Sequence, residues 1–65
     1  MKYLGAEINI SIGKFEEARA AGRRSARSQV PYSENPYGKY FSAKDQHWAW
    51  SLGHNEQRAA ILNKN

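Results

Sequence analysis

The chain has 65 residues, ten Lys or Arg against six Asp or Glu, and no cysteine. A domain of this length buries only about 60% of the surface its unfolded chain exposes, too little to enclose a deep catalytic cavity, and without cysteine it has neither disulfides nor a cysteine-based zinc site to stabilise it. The formal charge of +4 favours polyanionic partners, nucleic acid ahead of anionic membrane, and no apolar run approaches the roughly 20 residues of a membrane span.

The sequence predicts a single small domain over 1–65 that opens with an N-terminal extension or strand at residues 1–13. Met1-Lys2-Tyr3-Leu4 does not open like a signal peptide, so a cytoplasmic location is expected. Ile8, Ile10 and Ile12 alternate with Glu7, Asn9 and Ser11, the period of a half-buried strand, although Ile8, Ile12 and Phe15 also fit helical spacing. The β-branched run between Gly5 and Gly13 favours the strand. With no second strand in the sequence, its free edges point to pairing with a second copy, as a homodimer, or with another partner.

Residues 14–28 form the first predicted helix. Glu16 and Glu17 fall in its first turn and three arginines toward its end, the charge order that the helix dipole favours. Arg19, Arg23 and Arg27 recur every four residues as one ridge, with Arg24 flanking it. Phe15, Ala18, Gly22 and Ala26 lie opposite, where small residues let a second helix approach closely. Gly22 costs this helix about 1 kcal/mol relative to alanine; close packing against Trp48 or Trp50 is the expected compensation. Lys14 and the four arginines against Glu16 and Glu17 concentrate +3 of the charge here. A solvated face is the competing account of such charge. Glu16 and Arg19 read as a surface ion pair, and replacing Arg19, Arg23 and Arg27 with glutamine is expected to leave folding nearly intact.

Residues 29–42 read as a loop containing both prolines, with Asn35-Pro36 and Gly38 as turn signals. Its Tyr32, Tyr37, Tyr40 and Phe41 carry enough aromatic surface that it is expected to fold back over the helices. Val30-Pro31-Tyr32 and Asn35-Pro36-Tyr37 repeat one step. The second helix occupies 43–62, capped by Ser42, with Asp45 in its first turn. Trp48 and Leu52 lie one turn apart, beside a stripe of Trp50, Gly53, His54, Gln57 and Ile61. The fold class is thus mainly α: a small helix-loop-helix with a Pro/Tyr-rich connection and a short N-terminal strand.

Catalytic equipment is sparse, and neither enzyme activity nor a cofactor or metal is expected. His47 and His54 are separated by roughly 10 Å along one helix and lack zinc-ligand spacing. Gly13-Lys14 lacks the rest of a phosphate-binding loop, and the carboxylates are scattered. Nucleic-acid binding needs less: clustered cations for phosphate, and aromatics on which unstacked bases can lie. Arg19, Arg23, Arg24 and Arg27, with Lys39 and Lys44, supply the first; Tyr32 and Tyr37 are candidates for the second.

Ala18-x-x-x-Gly22-Arg23, Asn35-Pro36-Tyr37 and Trp50-x-x-Gly53, taken together over residues 15–58, resemble the ribosome modulation factor family and its small relatives. In that family a helix with small residues and a basic end leads through a Cys-Pro-Tyr or Asn-Pro-Tyr turn to a helix bearing Trp and Gly; Val30-Pro31-Tyr32 is a competing match for the turn. The chain departs from the pattern in having His54 after the glycine, a longer loop and residues 1–13. The resemblance implies an RNA-binding helical hairpin that contacts ribosomal RNA and modulates translation or ribosome state. A second expectation, of another class, is a small interaction module or inhibitor from a phage or mobile element, docking its strand edge or aromatic loop on a host protein.

Overall fold

The computed structural model describes residues 2–38 and 43–63. Leu4 and Gly5 both take positive φ, 53° and 80°, as a tight two-residue hairpin turn requires. This turn pairs β1 (Lys2–Tyr3) antiparallel with β2 (Ala6–Glu7), Lys2 opposite Glu7 and Tyr3 opposite Ala6. The expected strand through Ile8, Ile10 and Ile12 is therefore corrected. Ile8 is a buried core residue, Ile10 packs at the core margin, and Ile12 opens a helix. The lone strand whose free edges pointed to a second copy does not form over residues 8–12.

The first helix, α1 (Ile12–Arg27), starts two residues before the expected boundary because Ser11 caps it. The Ser11 hydroxyl accepts the Lys14 amide at 3.2 Å and its carbonyl accepts the Phe15 amide at 3.0 Å, engaging two amides of the opening turn. Glu16 and Glu17 consequently lie beyond the first turn, which contains no acid, and only Arg24 and Arg27 in the last turn complement the dipole. The helix closes with paired bonds from Val30 N to the Ser25 carbonyl (2.8 Å) and Gln29 N to the Ala26 carbonyl (3.1 Å). This is the Schellman arrangement, whose left-handed position usually holds glycine; here Gln29 occupies it at φ 63°, at a cost of about 1 kcal/mol.

The second helix, α2 (Lys44–Leu62), starts behind Ala43, which makes no side-chain cap. The proposed cap Ser42 lies outside the described residues, as do Lys39, Tyr40 and Phe41. Asp45 in the first turn is buried and accepts the Asn9 amide at 2.7 Å, fastening the N-terminal segment to the start of α2.

The two helices run in the same general direction. Phe15 meets Trp48 near the start of both, with ring centroids 5.0 Å apart, and Arg27 shares a groove with Arg58, Ile61 and Leu62 at their far ends. A parallel pair requires the connection to travel back along the helices, and residues 30–37 do so. The Val30 carbonyl is bonded to His54, the Asn35 side chain to Ser51 and the His47 carbonyl, and the Tyr37 carbonyl to His47, in descending order along α2. A 3₁₀ turn, Tyr32–Glu34, lies within this return.

Phe15, Ala18, Gly22 and Ala26 are the buried stripe of α1, matching the expected face. They meet Ala49, Trp50, Gly53 and His54, all buried on α2. A Cβ on Gly22 would stand 2.0 Å from the Trp50 carbonyl oxygen, and one on Gly53 would stand 1.9 Å from that of Arg19. The glycines thus let backbone touch backbone, and the compensation expected for Gly22 is Trp50, through its main chain. Tyr3, Phe15 and Trp48 form an edge-to-face ring series beside this crossing, with Ile8 and Ala49 completing the core.

Candidate nucleic-acid interface

The arginine ridge of α1 divides into two parts with different roles. Arg19 is mostly buried and grips Glu56 of α2 with both arms of its guanidinium, Nε to Oε1 at 2.9 Å and Nη2 to Oε2 at 2.5 Å. Its Nη1 also reaches Glu16 at 3.2 Å, the ion pair that the spacing predicts. Arg23 adds Nη2 to Glu56 Oε1 at 2.9 Å. Donation from Arg19 holds the Glu56 carboxyl below its ordinary range, and donation from the Tyr3 hydroxyl does the same for Glu16. Tyr3 is pushed upward by that bond in turn. Arg19 and Arg23 therefore join the helices, and Arg19 in particular is committed to the fold.

Arg24 and Arg27, on the last turn of α1, are exposed and have no ion-pair partner among the described residues. Arg58 of α2, exposed and likewise unpaired, faces the same groove as Arg27. That groove, about 450 Å³, is floored by Ala26, Ile61 and Leu62 and edged by Gln29. A second hollow of about 250 Å³ continues from it, sharing Ala26, Gln29 and Arg58 and adding Tyr32 and His54. The result is one cleft at the far end of the helix pair.

Of the other sequence-selected residues, Tyr32 and Tyr37 line one further hollow of about 420 Å³ together with Asn35 and His47, while Lys44 lies elsewhere. Tyr32 is exposed in the cleft, its ring edge-on to His54 at 5.7 Å. Tyr37 is half-buried against the core, its amide bonded to the Asn35 side chain and its carbonyl to His47. Lys44 is exposed at the opposite end of α2, roughly 20 Å along the axis from Arg58. Lys39 lies outside the described residues.

His54 is buried, with its Nε2 2.6 Å from the Val30 carbonyl, so that nitrogen carries the proton and donates. Its ring stacks on Trp50 at 4.9 Å, and its buried Nδ1 has no hydrogen-bond partner among the described residues. Sequence reasoning missed Arg58, Gln29 and Glu56 as participants. Arg58 was within reach, four residues beyond His54 on the Trp50–His54 stripe. Gln29 gave no signal, because its importance depends on its left-handed backbone.

Among the described residues no group of three His, Cys, Asp or Glu side chains could hold a metal ion, and no helix is long and apolar enough to cross a membrane. The fold and surface define a small, mainly α, basic protein. Comparison with protein-family models, curated proteins and solved structures gives no match.

Proposed function

We propose that this protein binds structured RNA, the ribosome foremost, and thereby modulates translation. The observation that carries the reading is the set of three exposed guanidiniums, Arg24, Arg27 and Arg58, that no carboxylate among the described residues neutralises. Arginines left unpaired at one end of a protein this small are available to phosphate, whose neutralisation releases counterions and drives association. Arg23, half-exposed beside Glu56, borders this positive surface, Lys44 would meet a separate stretch of the polyanion, and Arg19 contributes only by holding α1 in place. The motif resemblance selects ribosomal RNA among polyanions.

Sedimentation of the tagged protein with ribosomes across a salt series tests this reading. Co-sedimentation that is strongest at low salt and weakens steadily as salt rises is expected. Failure to co-sediment at the lowest salt overturns it.

A further inference from the structure

The cleft beside the unpaired arginines is built from more than charge. Gln29 holds a left-handed backbone, φ 63°, at a position where glycine closes a helix without strain, and the residue borders both halves of the cleft. Strained backbone tends to persist where a side chain is needed. Tyr32 is 44% exposed, and its ring forms part of the wall, braced edge-on by His54, which is itself stacked on Trp50. His54 lies behind this wall, and its buried Nδ1 has no partner among the described residues, a rare state for an interior polar atom. Arg27 and Arg58 border the connected groove.

From this juxtaposition we propose that the cleft is a subsite for one unstacked RNA nucleotide: Tyr32 supports the base, the Gln29 amide meets its polar edge, and Arg27 and Arg58 hold the adjoining phosphates. The proposal rests on the RNA-binding reading and sharpens it, because bases in loops and bulges of structured RNA are splayed out and available for stacking, whereas duplex bases are not. An aromatic face with guanidiniums on one side fits a nucleotide better than an acidic peptide, which has no need of the ring.

Fluorescence anisotropy with a labelled, unstructured RNA strand of about 24 nucleotides and a blunt RNA duplex of about 12 base pairs, matched in charge, tests the subsite. Wild-type protein binds the single strand more tightly. Tyr32→Ala weakens that binding about 5- to 100-fold, while Tyr32→Phe, which keeps the ring, retains it. Gln29→Gly unfolds at higher urea concentration yet binds the single strand several-fold more weakly, a combination that a purely structural role does not produce. Single-strand affinities unchanged in Tyr32→Ala and Gln29→Gly overturn the subsite; if Arg24→Gln and Arg27→Gln still lower RNA affinity, the RNA-binding reading stands without it. Binding of neither RNA at low salt, or binding only of an acidic peptide such as polyglutamate, overturns both.

Discussion

Gly22 and Gly53 are reciprocal contacts: each presents its bare Cα to a backbone carbonyl of the other helix, Gly22 to Trp50 and Gly53 to Arg19. The glycine hydrogen that stands in place of a Cβ points at the facing oxygen, an arrangement in which Cα–H···O contacts contribute about 0.5–1 kcal/mol each. A methyl at either position would overlap backbone that cannot swing aside as a side chain could. Gly22→Ala and Gly53→Ala should therefore each destabilise the protein by about 1–3 kcal/mol or more, reversing the usual gain from alanine in a helix. Gly13→Ala is the control. Its Cβ would meet only the Ser11 hydroxyl at 3.9 Å, so this change should be neutral or stabilising by up to about 1 kcal/mol. Urea unfolding of the three variants checks the opposite signs.

Glu56 collects both Arg19 and Arg23, and its folded-state carboxyl is depressed, chiefly by the Arg19 hydrogen bonds. A depressed carboxylate contributes stability that is complete above its unfolded pKa, near 4.5, and is lost as pH falls through the lower folded value. Stability should fall on acidification below about pH 5. Glu56→Gln should lower stability at neutral pH by about 1–2 kcal/mol, toward the small end because solvent reaches the pair, and should flatten the acid limb. Thermal unfolding from pH 7 to pH 3 measures both. The same geometry corrects the expectation for a triple change at Arg19, Arg23 and Arg27. Arg19→Gln leaves Glu56 short of its main donor, so folding is not left intact.

Asp45 ties the beginning of the chain to the beginning of α2 through the Asn9 amide. The carboxylate is buried, and a charged acceptor on a backbone amide is among the stronger hydrogen bonds. Asp45→Ala should cost about 1.5–3 kcal/mol and speed amide exchange at Asn9 and over residues 2–10 more than along α1. Hydrogen exchange followed by mass spectrometry resolves the two regions.

Asn35 is the fastening of the return loop: its amide nitrogen donates to the His47 carbonyl at 2.9 Å and the Ser51 hydroxyl at 3.1 Å, while its oxygen accepts the Tyr37 amide at 2.9 Å. Asn35→Ala removes all three and should destabilise the fold by about 1–3 kcal/mol. Limited proteolysis should then cut first near Tyr37, with α1 and α2 still protected.

The division of the arginine ridge has a direct reading in binding. Arg24→Gln and Arg27→Gln should each lower the salt dependence of RNA binding by about one counterion with little change in urea midpoint. Arg19→Gln should do the reverse, moving the midpoint and leaving the salt slope close to wild type. Anisotropy titrations at several salt concentrations, alongside urea unfolding, separate the two classes.

Both helices, the buried stripe of Phe15, Ala18, Gly22 and Ala26, and a Pro/Tyr loop folded back over the helices are legible in the residue pattern alone. These are local properties: helical period, proline geometry and small-residue spacing act within a few residues of chain. The pattern misplaced residues 8–12, because three alternating isoleucines fit a strand while the decisive features were the turn at Leu4-Gly5 and the cap at Ser11. That the helices run in the same direction emerges only from how they pack, and this direction sets the partners that α1 and α2 offer each other. It brings Glu56 to Arg19 across 37 residues, leaving Arg24 and Arg27 without an ion-pair partner among the described residues, and it brings Arg58 to the groove of Arg27. Periodicity fixes which face of a helix a charge occupies; the charge opposite depends on how the second helix is laid across it.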